Sequence, residues 1–194
     1  MNKKGGVKGF RPLKKMKLLL HMCCAPCSIY PVNVLQEEGL DFQGYFYNPN
    51  IHPIDEFKRR KKTVEIYAEL KGLKVFYEDD FKQDEWEKFS KSEAERCTMC
   101  YSLRMDKAAR FAAQKGFDAF TTTLLISPYQ KHDLIKKLGE SSALKYGVNF
   151  YYHDFRPGFR QGQNEAREMQ LYRQKFCGCI ISFNESNMRK KKVK

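Results

Sequence analysis

No stretch of this 194-residue chain approaches the ~18 consecutive apolar residues that a membrane-spanning helix needs. The apolar run nearest the N-terminus, Leu18 to Leu20, stops at His21, far short of the ~7–15 apolar residues at the centre of a secretory signal. Both absences argue against a membrane-spanning or exported protein, and a cytosolic one is expected. Acidic residues are missing from both ends. Residues 1–17 hold seven lysines and arginines, and residues 189–194 hold five, without a single Asp or Glu. The formal charge of +13 resides almost wholly there, because the body between them has 24 basic and 23 acidic residues. Basic ends suit a polyanion such as RNA, whose phosphates release counterions when neutralised. They equally suit two solvated tails without a fixed fold. Internal repeats and abrupt shifts of composition are also lacking. One domain is therefore expected over residues 17–187, between a basic leader (1–16) and a basic tail (188–194), and 42% hydrophobic residues suffice to close its core.

What the chain does have is seven cysteines, an odd number and a poor match to a disulfide framework in a reducing compartment. Three end a short apolar run in Cys23-Cys24-Ala25-Pro26-Cys27. Two more form Cys97-Thr98-Met99-Cys100, which at helical spacing project from one face, with Arg104 one turn further on. Four thiolates from two places, Cys23 and Cys24 with Cys97 and Cys100, suit either structural zinc or a [4Fe-4S] cluster. Adjacent cysteines do not make the usual zinc knuckle, which favours the cluster. Cys177-Gly178-Cys179 is a different object: two thiols one glycine apart can close only a small, strained ring, and strained disulfides are readily reduced. That fits a redox-active pair; two unlinked thiols near a helix end are the plainer alternative.

Periodicity orders the rest. Strands are expected at Lys17–Cys23, Phe42–Tyr47, Lys74–Tyr77, Phe117–Ile126 and Asn149–Asp154. Helices are expected over Ser28–Glu38, from Asp55 to Gly72, from Cys97 to Gly116, from His132 to Tyr146 and over Asn164–Phe176, with a short one carrying Trp86, which is expected in the core. This alternation predicts an α/β fold, a mainly parallel sheet covered on both faces, with functional groups beyond the carboxyl ends of the strands. The basic run Lys58 to Lys62 reads as a solvated helix face, with phosphate contact as the alternative. Asp154, His21, His132 and Tyr129 are proton-donor candidates if they face a cavity.

Taken together, these motifs resemble the epoxyqueuosine reductases of the QueH type. The likeness runs from about Leu18 to Phe183. It rests on the run from Leu19 to Ser28, Tyr47-Asn48-Pro49-Asn50-Ile51-His52-Pro53, Arg96 to Cys100, Phe120 to Tyr129, Asp154-Phe155-Arg156 and Leu171 to Cys179. The resemblance implies a Rossmann-like three-layer sandwich similar to the adenine nucleotide alpha-hydrolase group. The first turn lacks the glycines of a phosphate loop, so no ATP chemistry is expected. It also implies Cys23, Cys24, Cys97 and Cys100 as [4Fe-4S] ligands, Cys177 and Cys179 as a catalytic redox-active disulfide, and Cys27 as a ligand for a second iron ion nearby. The implied reaction is removal of the epoxide oxygen of epoxyqueuosine in a tRNA anticodon, with an electron donor that the sequence does not identify. Oligomeric state is not legible. Two readings from other classes stand beside it: a zinc-stabilised RNA-binding module and a thiol–disulfide oxidoreductase acting on a protein.

Overall fold

The computed structural model describes residues 16–89 and 92–192 of the chain. The basic leader, Met16 apart, and the last two residues of the basic tail lie outside the described residues. Five parallel strands, β1 (Lys17–His21), β2 (Asp41–Tyr47), β3 (Val75–Glu78), β4 (Ala119–Thr122) and β5 (Asn149–Phe150), form one sheet in the order β3-β2-β1-β4-β5. Central β1 is buried on both faces, which is why it reads as an unbroken apolar run rather than an alternation. Leu18, Leu20 and Met22 point to one side, where they pack with α1 (Ala25–Glu37) and α2 (Ile54–Lys71). Leu19 points to the other, against α4 (Glu93–Lys115) and α5 (His132–Tyr146). Three layers result, as the sequence predicts.

Three expected elements differ. The β-prone run from Phe117 pairs only as far as Thr122; Thr123–Ile126 turns into a 3-10 helix, and the Thr122 hydroxyl accepts the Leu124 N–H at 3.2 Å. Threonine side chains compete for backbone donors in this way, so three in succession end a strand more easily than their propensity suggests. At the sheet edge only Asn149–Phe150 of the expected Asn149–Asp154 strand pairs.

The largest departure is the expected helix Asn164–Phe176. Helix α6 (Phe159–Glu168) begins earlier and closes in a Schellman ending: Gln170 adopts φ 54°, and the Leu171 N–H reaches the Ala166 carbonyl at 2.9 Å. Ala166 and Leu171 share a core cluster, so the apolar contact that accompanies such endings is present. Tyr172 and Phe176 mimic the continuing period but lie in an irregular segment that crosses to the cysteine-bearing end of the sheet. Helix α7 (Ile180–Lys192) then starts directly after Cys179, packs against the short α3 (Gln83–Glu87), and carries most of the basic C-terminal run.

Candidate metal centre

Beyond the carboxyl ends of β1, β2 and β4 lies a cavity of about 600 Å³ lined by Cys23, Cys27, Cys97, Cys100, Cys177 and Cys179. It opens where the sheet order reverses between β1 and β4, the place at which parallel sheets leave a crevice. All seven cysteines are free thiols, reaching this end on three separate segments.

The first three thiols occupy the turn from β1 into α1. Pro26 fits there because its missing N–H would be unpaired in the first helical turn in any case. The Cys23, Cys24 and Cys27 sulfurs lie within 4.8 Å of one another, with Cys23 and Cys24 3.8 Å apart. Hydrogen bonds from Cys24 and Cys27 hold the Cys23 thiol well below its ordinary pKa. Burial pushes Cys24 up, and the neighbouring Cys23 and Cys24 sulfurs push Cys27 up. Donors converge on the trio from elsewhere: the Thr123 hydroxyl on Cys23 at 3.2 Å, and Gln174 Nε2 on Cys24 at 2.9 Å and Cys27 at 3.7 Å. The Cys23 N–H in turn donates to Thr123 Oγ1 at 3.0 Å, tying the turn to the 3-10 helix that follows β4.

The second pair rides on α4, whose start is a capping box: the Ser92 hydroxyl accepts the Glu95 N–H at 3.3 Å, and Glu95 accepts the Ser92 N–H at 3.2 Å. Cys97 and Cys100 face the cavity from this helix. Arg104, 2% exposed, donates to the Cys100 carbonyl at 3.1 Å and to its sulfur at 3.2 Å. Burial pushes the Cys100 thiol up to about 12, and Arg104 opposes that shift. Cys100, Cys177 and Cys23 act on this buried guanidinium and favour its charged form, so its charge complements thiolates.

The third segment is Cys177-Gly178-Cys179, held from below by α2 and the turn after β2. Arg60 donates to the carbonyls of Cys177 (3.0 Å) and Phe176 (3.1 Å) while its Nε is paired with Glu56 at 2.7 Å. Glu56 also accepts the Tyr172 hydroxyl at 2.7 Å. The His52 N–H donates to the Gly178 carbonyl at 2.8 Å, and His52 Nδ1 accepts the Ile180 N–H at 3.1 Å. Gly178 has φ 144°, and a Cβ there would meet Asn50 Nδ2 at 3.2 Å and Arg60 Nη1 at 3.3 Å, so only glycine fits. Cys179 precedes α7, and the Ser182 N–H points at its sulfur at 3.5 Å. Cys177 is exposed and takes a 3.6 Å contact from Gln130 Nε2, whose amide oxygen accepts the Tyr101 hydroxyl at 2.6 Å.

Of the expected quartet, Cys23, Cys97 and Cys100 line the cavity and Cys24 does not, and among the described residues the three sulfurs that lie within 4.8 Å of one another are those of Cys23, Cys24 and Cys27. Among the proton-donor candidates only Tyr129 lines the cavity. His21 is buried, its Nε2 donating to the Tyr47 carbonyl at 3.0 Å and its Nδ1 facing Thr122 Oγ1 at 2.8 Å; burial holds its pKa down to about 4, so it is a neutral structural residue. His132 meets the Tyr152 hydroxyl at 3.0 Å, and Asp154 pairs with Arg156. Trp86 is buried as expected, but in a small cluster with Cys100, Cys179 and Ile180 on the cavity wall. Arg60, His52, Thr123 and Gln174 also contact the cysteine segments, roles that their positions in the sequence do not assign. The inward direction of Arg60 was legible: it falls between Phe57 and Val64 on the apolar face of α2, so one member of the basic run had to point inward.

A family described as Epoxyqueuosine reductase QueH matches residues 18–185. Curated relatives carrying that name include one from Histophilus somni, 38% identical over 183 residues (88% of this chain, 74% of the relative). Another, from Dehalococcoides mccartyi, is 35% identical over 167 residues, covering 86% and 92% of the two chains. Among solved structures, the U34-tRNA thiolase NcsA from Methanococcus maripaludis, determined with its [4Fe-4S] cluster, aligns with a TM-score of 0.57. That alignment covers 93% of this chain and 67% of the thiolase at 14% identity, a likeness of fold.

Proposed function

This chain belongs to the epoxyqueuosine reductase QueH family, and from that membership we propose that it removes the epoxide oxygen of epoxyqueuosine in a tRNA anticodon, with a redox pair made of Cys177 and Cys179. The observation that carries the reading is the convergence of six cysteines from three segments on one cavity.

The donor set fits an iron–sulfur cluster. Three crowded sulfurs, two of them buried, receive N–H and O–H donors from Thr123 and Gln174, and the buried Arg104 guanidinium donates to the Cys100 sulfur, an environment that suits sulfur carrying negative charge. Cys23, Cys24, Cys97 and Cys100 would hold the cluster, and Cys27 is the remaining thiol for a second iron. When bound, such a group supplies single-electron transfer and a Lewis-acidic iron. The protein's own part is the rest. Opening an epoxide to an alkene and water takes two electrons and two protons, and oxidation of two thiols to one disulfide releases two of each. Cys177 and Cys179 therefore balance the reaction, and the unidentified electron donor restores the dithiol. Arg60 and His52 fix the backbone between the two thiols, while Ser182 directs an N–H at the Cys179 sulfur. No described helix is long and apolar enough to cross a membrane; a cytosolic site of action is part of this proposal.

The test is conversion of epoxyqueuosine-tRNA by anaerobically prepared protein with a strong reductant. The wild type should be brown, contain iron and sulfide, and convert the epoxide; colourless protein containing zinc would instead favour an RNA-binding module. Cys177→Ser/Cys179→Ser should keep the iron and lose conversion at least ~100-fold, about 3 kcal/mol of barrier. Full activity in that variant would remove the dithiol from the mechanism. Cys97→Ser should lose most of its iron, and retained iron would take Cys97 off the ligand set.

A further inference from the structure

Of the cysteines that line the cavity, Cys27 and Cys100 lie deepest with Cys179, at 6%, 7% and 7% exposure, while Cys177 is exposed. A nucleotide stacked within an RNA loop cannot bring a substituent of its base to such a depth. It has to leave the stack and enter the cavity, and the base it leaves then exposes an apolar face to water. At the mouth, Tyr129 is 83% exposed, between exposed Pro128 and half-buried Gln130. Its ring meets Phe159 edge to face, with centroids 5.8 Å apart and planes at 82°, and both residues line the cavity. The Tyr129 N–H is tied to the Ser127 hydroxyl at 3.3 Å, so the backbone beneath the ring is fixed. Exposed Lys131 and Lys175 also line the cavity, as do exposed Glu93 and Glu185, while its arginines Arg60, Arg96 and Arg104 are buried. An aromatic plane held at the lip of a cavity that two exposed lysines also line matches an unpaired base flanked by phosphates.

From this geometry we infer that Tyr129 is the stacking platform for the base next to the modified nucleotide, taking the place that nucleotide vacates when it enters the cavity. The inference rests on the proposed reaction, since it names the residue that receives the RNA at that same site. Base–aromatic stacking needs the ring and not the hydroxyl. A proton donor would need the hydroxyl and not the ring alone.

The experiment compares Tyr129→Phe, Tyr129→Leu and Tyr129→Ala in the metal-loaded protein. Readouts are kcat and KM on epoxyqueuosine-tRNA, and the dissociation constant for an unmodified anticodon stem-loop. Tyr129→Phe should match the wild type. Tyr129→Ala and Tyr129→Leu should raise KM and the dissociation constant about 10- to 100-fold, with kcat within about twofold. Unchanged KM and stem-loop binding in Tyr129→Ala would overturn the platform, as would a loss of kcat in Tyr129→Phe. Because Tyr129 is at the surface, a folding failure is not expected to intervene. If the wild type binds the stem-loop but converts no epoxide, the proposed reaction falls while the binding arm still decides the role of Tyr129.

Discussion

Arg60 has a dual role that its exposed neighbours Lys58, Arg59 and Lys62 do not share. It is 3% exposed, its ion pair with Glu56 is buried, and its two remaining nitrogens end on the carbonyls that flank Cys177. Removing one partner of a buried pair leaves the other charged in a poor solvent. Arg60→Met should therefore destabilise the fold by about 3 kcal/mol in urea titration, and the double variant with Glu56→Gln should recover part of that loss. Positioning is a separate effect. In the double variant the thiol pair should still react more slowly with a disulfide probe, because the Cys177 and Phe176 carbonyls have lost their anchor. Unaltered thiol reactivity would confine Arg60 to stability.

Among the elements, α4 carries two of the proposed cluster ligands and has the strongest local signals. Its capping box at Ser92 and Glu95 precedes Cys97 by little more than one turn, and Gly116 closes the helix in the left-handed region. Ser92→Ala should cost about 1 kcal/mol of stability. Because fraying of that first turn would loosen Cys97 before Cys100, iron should also leave faster on exposure to a chelator; release at the wild-type rate would show that the cap does not reach the site. The α6 ending acts in the opposite direction. By stopping at Gln170 it frees the chain from Leu171 onward to run as a strap. The strap brings Gln174 to the first-turn sulfurs and sets Cys177-Gly178-Cys179 over Arg60.

For the molecule as a whole, the site lies where a doubly wound sheet leaves its crevice, and its exposed charged lining is Lys131 and Lys175 with Glu93 and Glu185. Lys131→Gln and Lys175→Gln should each lower the salt dependence of tRNA binding by about 0.7 in log–log slope if each neutralises one phosphate of an unpaired strand. Conversion of saturating substrate should be unaffected. An unchanged slope in both would move the RNA path away from this rim.

The order of strands and helices and the gathering of cysteines at strand ends were legible because they depend on period and spacing, which belong to the chain. Leu18 to Leu20 read as part of a buried strand, and at helical spacing Cys97, Cys100 and Arg104 share a face. Where a helix stops, and which member of a charged run turns inward, were settled by tertiary packing. Tyr172 and Phe176 keep the helical period, yet the contact of Leu171 with Ala166 ends α6, while Glu56 and Arg60 draw both aromatics onto α2. Cys27 shows the same division. Its presence is a fact of sequence, but its approach to Cys23 and Cys24 follows from the tight β1–α1 turn and from Gln174 arriving 147 residues later. Sequence sets which groups are available and their local period. Distance between groups far apart in the chain is decided only when burial of apolar surface brings their elements together.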